Sequence, residues 1–179
     1  MKNTKVTLVP LTADDREQFI FDNQWAFKYG ALEEFGNRDD HLNSDGEIIS
    51  RVTIEKSIDA PGSEAYRIIL GGRKVGGVVL QIDRKTHHNH LDLLFVSPDA
   101  HGKGIGYGAW QAVEALHPET EVWETCTPYF EKRNIHFYIN KCGFHAVEFL
   151  GVFHADPDTP DGGNCEGPDE MFRFIKVMK

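Results

Sequence analysis

The stretch LFVSPDAHGKGIGYGAW, residues 94–110, constrains this chain more than any other. It reads as a strand, a glycine loop and a helix. Glycines at 102, 104, 106 and 108 leave backbone N–H groups uncovered at a helix N-terminus, where partial positive charge collects, and such an end binds phosphate. Lys103 and a protonated His101 add charge against a pyrophosphate, while Ile105 and Ala109 are placed to face a core. The bland alternative is a tight connection that uses glycine for turn geometry only. A Walker A loop is excluded, because no Lys-Ser or Lys-Thr follows the required glycine. A dinucleotide site fits in part: Gly104, Gly106 and Ala109 match G-x-G-x-x-A, and Glu124 lies 20 residues beyond Gly104. In that fold, however, the strand runs directly into the first glycine, whereas here Ser97 to Lys103 intervene. Only 55 residues follow Glu124, too few for the rest of such a sheet.

The flanking periodicity supplies the other elements. Val6 to Val9 is a short strand, and Thr12 with Ala13, Asp14 and Asp15 offers an N-cap and an acidic first turn for a helix to about Tyr29. Its apolar positions Phe19, Ile20, Trp25, Ala26 and Tyr29 form one stripe. Glu47 to Ile58 reads as a helix, although its β-branched content equally suits a strand. Ala65 to Leu70, Gly71-Gly72 and Val75 to Ile82 make a hairpin. A polar turn, RKTHHN, leads into the strand HLDLLFV. A helix follows from Gly104 to about His117, where Pro118 stops it. Glu121 to Thr127 is strand-like and Phe130 to Cys142 helix-like, with Gly143 as its C-cap. His145 to Phe153 and Met171 to Val177 are two closing strands.

Composition bounds the class. With 179 residues, 40% hydrophobic and 26% charged, the chain suits one globular domain over 1–179. Three cysteines (Cys126, Cys142, Cys165) cannot pair completely, which points to a reducing, cytoplasmic setting. There is no run of 18 apolar residues and no signal-peptide pattern, so neither membrane spanning nor export is expected. Nineteen basic against 28 acidic side chains give a net charge of −9 and no basic tract, which excludes general nucleic-acid binding. Six of the acids (Asp156, Asp158, Asp161, Glu166, Asp169, Glu170) crowd into residues 154–170, which contain no Lys or Arg. This segment reads as a long loop.

Val96, Pro98, His101, Gly104 and Gly106 occupy the places of a Val-x-Pro strand end followed by Gln/Arg-x-x-Gly-x-Gly/Ala. Asn134, Phe137, Tyr138 and Gly143-Phe144 follow an Asn-x-x-x-Tyr-x-x-x-x-Gly-Phe pattern about 30 residues on. With these two motifs the chain resembles the GNAT N-acetyltransferase superfamily; His101 replaces the usual Gln or Arg. The resemblance implies an α/β fold, a mixed and mostly antiparallel sheet of about seven strands flanked by about four helices and splayed beside Leu91 to Val96. It implies acetyl transfer from acetyl-CoA to an amine by direct attack. Its contact set for acetyl-CoA is Leu94, Phe95, Val96, His101, Gly102, Lys103, Gly104, Ile105, Gly106, Tyr107, Asn134, Tyr138 and Lys141. Backbone N–H groups near Leu94 to Val96 stabilise the oxyanion in that scheme, and Tyr138 is the general acid for the departing thiolate. The contrasting reading of Tyr138 is a packed helix tyrosine.

His90, Asp92 and Glu124 are the candidate bases. His90 sits six residues before Val96, where some superfamily members carry a basic Glu, Asp92 shares its strand face, and Glu124 lies on the next strand. For each, the plain alternative is a solvated or structural side chain. His87, His88 and His90 invite a metal reading, but nothing distant is tied to them by spacing, and a polar turn entering a strand explains them better. Cys126, between Thr125 and Thr127, reads as a small buried residue. Phe19, Trp25, Phe27, Tyr29 and Phe35 are mostly core, with one or two assigned by the resemblance to the acceptor wall. Lys103, Lys132, Arg133 and Lys141 give the cofactor a basic edge, and the acidic loop would attract a cationic amine. Many members of that superfamily form dimers, so the resemblance allows a homodimer, while the sequence itself does not fix the oligomeric state. Two further readings stand beside this one: a non-catalytic acyl-CoA sensor, and a nicotinamide-dependent oxidoreductase using Gly104, Gly106 and Glu124.

Overall fold

The computed structural model describes residues 5–32, 42–151 and 170–178; the acidic segment, apart from Glu170, and Phe35 lie outside the described residues. Seven strands run β1 (Thr7–Pro10), β2 (Ser63–Leu70), β3 (Arg73–Gln81), β4 (His88–Val96), β5 (Val122–Pro128), β6 (His145–Leu150) and β7 (Met171–Val177). Four helices accompany them: α1 (Arg16–Leu32), α2 (Arg51–Asp59), α3 (Ile105–Leu116) and α4 (Lys132–His136). The strand order is β1-β2-β3-β4-β5-β7-β6; β1–β2, β2–β3, β5–β7 and β7–β6 pair antiparallel, and β4–β5 pairs parallel. The mixed, mostly antiparallel sheet with four helices is the architecture expected. No helix among the described residues is long and apolar enough to cross a membrane.

Contacts divide the chain into two compact units. The first comprises residues up to Gln81 with Leu93–Pro118, and the second Ile82–Asp92 with residues from Glu119 onward. In the first, the β2–β3 hairpin turns through Gly71 and Gly72, both at positive φ (58° and 79°), the backbone a two-residue turn demands. α1 and α2 pack Phe19, Ile20, Ala26 and Ile54 against Val79, Leu93 and Phe95. A separate cluster of Ile68, Val75, Ala100, Ile105 and Ala109 sets α3 against Leu94 and Val96. Successive β4 residues therefore serve opposite faces, as a strand's period of two requires.

Two helix starts differ from expectation. Thr12 makes no side-chain cap, and Ala13–Asp15 forms a 3-10 turn before α1, because Asp15 faces Arg67 rather than capping. The second helix begins at Arg51 instead of Glu47. Ser50 Oγ accepts from the Thr53 N–H at 3.0 Å, and burial of Ile54 outweighs the β-branched preference for strand. Arg67 is nearly buried; its guanidinium donates to Asp15 at 2.7 Å and Asp22 at 2.8 Å and lies over the Phe19 ring. Lys74 adds a 2.9 Å contact to Asp15. This network fixes the start of α1 on β2.

In the second unit, β5 pairs with β7 along its whole length, and β7 with β6. The segment expected as one helix over Phe130–Cys142 is two pieces, α4 and a π-helical turn over Phe137–Cys142. Phe144 N–H closes the turn onto the Tyr138 carbonyl at 2.9 Å, and Gly143 caps it at φ 80°. Wide turns of this kind concentrate at functional sites.

Candidate active site

The glycine loop belongs to the first unit. Ser97 N–H donates to the Val75 carbonyl at 2.8 Å, holding β4 on β3 to its end. A 3-10 turn, Pro98–Ala100, then separates the strand from the loop. His101 Nε2 lies 2.9 Å from the Val96 carbonyl; since a carbonyl only accepts, that nitrogen carries the proton in this contact. The His101 ring also meets Tyr29 edge to face, centroids 6.1 Å apart. His101 therefore ties the loop to the strand end.

Gly102 and Gly104 adopt left-handed backbone, and Gly104 is the N-cap of α3. The first bond within α3 runs from Gly108 N–H to the Gly104 carbonyl, so the N–H groups of Ile105, Gly106 and Tyr107 precede the helical ladder. Ile105 and Ala109 are buried beneath, as expected, while Gly102, Lys103, Gly104 and Tyr107 are exposed. A Cβ at Gly102 or Gly104 would meet nothing within 4 Å. An open crest of backbone amides over an apolar root fits a phosphate group. Leu94, Phe95 and Val96 spend their side chains on packing.

The second unit holds the tyrosine. Trp123, Thr125 and Thr127 of β5 are buried in alternation with Glu124 and Cys126. Thr125 Oγ1 donates to the Leu91 carbonyl at 2.8 Å, at the last pair of the β4–β5 register. The Tyr138 phenol hydrogen-bonds Thr125; burial pushes its pKa up and this bond offsets part of the rise. Its ring is surrounded by Phe137, Phe144 and Phe174, centroids 5.5–5.8 Å away. Asn134 Nδ2 donates to Thr127 Oγ1 at 3.3 Å, so both polar residues of the helix motif engage β5 threonines. Lys132 and Lys141 are exposed and Arg133 half-buried. Cys126, expected as a plain buried residue, is half-buried and disulfide-bonded, so it offers no thiol; Cys142 is the free, buried one.

His90, Asp92 and Glu124 also come together in this unit. His90 is buried, with Nδ1 3.3 Å from Asp92 Oδ1 and neither ring nitrogen in hydrogen-bond geometry. The parallel register sets Glu124 beside His90. Glu124 lies 3.3 Å from Arg173, which donates to Glu148 at 2.9 Å. Sequence reasoning missed Arg173, Glu148 and the role of Thr125. Only the alternating T-C-T of β5 pointed to Thr125, and nothing local marks Arg173. The adjacent turn is structural: Asp83 accepts from the Lys85 and Thr86 N–H groups, which hold its carboxyl below the usual range. His87 takes positive φ in that turn, and its carbonyl accepts from Glu121 and Val122.

Residues 21–144 match the acetyltransferase (GNAT) family. The chain is 44% identical to an uncharacterized Bacillus subtilis (strain 168) protein, YrkN, over 98% of this chain and 95% of that one. Its fold is similar to the ribosomal-protein-S18-alanine N-acetyltransferase of Escherichia coli (TM-score 0.66, 12% identity, 97% and 94% of the two chains). It is also similar to the spermidine N-acetyltransferase of Vibrio cholerae solved with CoA and spermine (TM-score 0.64, 14% identity, 97% and 95%). Strand order, glycine loop and tyrosine helix agree with the family match, and the chain belongs to the GNAT acetyltransferase family.

Proposed function

We propose that this chain transfers the acetyl group of acetyl-CoA to a primary amine of a small molecule or peptide, by direct attack of the amine. The observation that carries the proposal is Tyr138: a buried phenol, kept protonated by its surroundings and hydrogen-bonded to Thr125 where the β4–β5 pairing ends. Acetyl-CoA supplies the activated thioester. The amides opening α3, with Lys103, hold its pyrophosphate, and Asn134 and Lys141 belong to the same binding set. Backbone N–H groups of Leu94 to Val96 orient the acetyl carbonyl and withdraw charge from it as the amine adds. Tyr138 offers its proton to the sulfur as the carbon–sulfur bond breaks.

His90 removes the amine's proton, directly or through a water. An imidazole can both accept and release a proton, which suits this role. Asp92 orients the ring, and Arg173 balances Glu124 beside it. The acceptor is cationic before it loses that proton, and the chain's acidic excess favours its approach. Arg173 engages the Glu124 that a nicotinamide site would need for its ribose, and the family match favours neither that reading nor a sensor.

Thiol release from acetyl-CoA, measured across polyamines, aminoglycosides, amino acids and peptides, tests the proposal; no amine-dependent release from any of them would refute it. In the same assay, His90→Gln is expected to lower kcat about 100-fold and abolish the rise of rate with pH. An unchanged pH profile would remove His90 as the base.

A further inference from the structure

Three oxygens are linked in series inside the second unit: the Tyr138 phenol, the Thr125 hydroxyl and the Leu91 carbonyl. Tyr138 is 7% exposed and Thr125 1%, so the series is buried. Its proton order follows from the chemistry of the groups. A carbonyl has no hydrogen to give, so Thr125 Oγ1 donates to Leu91, at 2.8 Å. A hydroxyl has one hydrogen, and with it spent on Leu91 the same oxygen can only accept from Tyr138. The phenolic proton is therefore held by Thr125 at rest. Delivering that proton elsewhere breaks this bond and leaves a phenolate among the Phe137, Phe144 and Phe174 rings. Burial, Cys142 and Glu131 oppose a negative charge there, whereas Thr125 favours it.

We propose that Thr125 is a positioning residue for the transfer: its hydroxyl accepts from Tyr138 at rest and swings to donate to the same oxygen as the phenolic proton leaves. This rests on the function proposed above. The phenolic O–H bond breaks and an S–H bond forms, while the carbon–sulfur electron pair passes to sulfur. The Thr125 O–H bond stays intact and only rotates, from the Leu91 carbonyl to the phenolate. The amine's proton reaches solvent through the base, and water returns one to Tyr138 after the coenzyme thiol has left. Thr125 then turns back to Leu91. Leu91 and Thr125 form the last pair of the β4–β5 register, so the carbonyl released lies where the ladder ends rather than within it. A valine would fill this buried strand position with the same shape but supply neither bond.

A double-mutant cycle and an NMR signature test this. Thr125→Val is expected to lower kcat about 10- to 100-fold with both KM values unchanged, and Thr125→Ser to recover most of that loss. In the Tyr138→Phe background, Thr125→Val is expected to have no further effect on kcat, because the hydroxyl acts through the phenol alone. In protein isotope-labelled at tyrosine Cζ, the Tyr138 signal is assigned by its absence from Tyr138→Phe. That signal is expected to move in Thr125→Val and return in Thr125→Ser, a readout that needs no turnover. Should Thr125→Val fail to fold, Thr125→Cys takes its place, since a thiol is a weak donor and a weak acceptor. Equal losses in both backgrounds would make Thr125 a packing residue and overturn the inference, as would an unmoved signal. Thiol release that falls in Tyr138→Phe but not in Thr125→Val leaves the transfer reading standing and this inference refuted. No thiol release from any amine refutes both.

Discussion

Tyr138→Phe is expected to lower kcat about 100-fold while leaving the KM for acetyl-CoA and Tm nearly unchanged. The substitution removes only the phenolic oxygen. The ring keeps its packing against Phe137, Phe144 and Phe174. The Thr125 hydroxyl keeps the Leu91 carbonyl, so no buried donor is orphaned. A loss confined to kcat marks an interaction made in the transition state alone. Steady-state kinetics with acetyl-CoA and the best amine check this, and a full-rate Tyr138→Phe enzyme would make the residue a packed helix tyrosine and nothing more.

The second large effect is on stability. Arg67→Ala strips the guanidinium from Asp22 and leaves Asp15 with Lys74 alone; the two carboxylate side chains are only 21% and 12% exposed. Breaking a buried pair by removing one partner costs about 3–5 kcal/mol, and for a chain of this length that lowers Tm by about 6–20 °C. The network also sets the acid limit. The hydrogen bond from Arg67 holds the Asp15 carboxyl below its ordinary value of 3.8, so the folded state binds this proton less readily than the unfolded chain. The stabilisation is therefore complete above the ordinary carboxylate range and is lost as pH falls through and below it. Thermal unfolding from pH 7 to pH 3 is expected to show a steeper acid loss for the native protein than for Arg67→Ala. Parallel curves would assign the Asp15 carboxylate no part in acid stability.

Element order and the glycine loop were legible because their signals are local. The polar turn RKTHHN, the two hairpin glycines and the capping Gly143 each act within a few residues of themselves. The motif helix was legible as helical but not as π-helical, since its widened turn depends on how Tyr138 meets β5. The nearness of His90 and Asp92 was readable from a strand's period of two, whereas the place of Glu124 beside His90 depends on the parallel β4–β5 register and was not. Arg67 and Arg173 were not readable. Each acts on residues far along the chain, 52 positions to Asp15 and 49 to Glu124, and such pairs leave no mark in sequence spacing.

The most direct measurement is a single turnover with acetyl-labelled acetyl-CoA and excess enzyme, quenched and separated into protein, coenzyme and amine. The label is expected to pass from coenzyme to the amine nitrogen, with none covalently retained on the protein. Label held on the protein, or released as acetate with the amine unmodified, would contradict direct transfer to an amine.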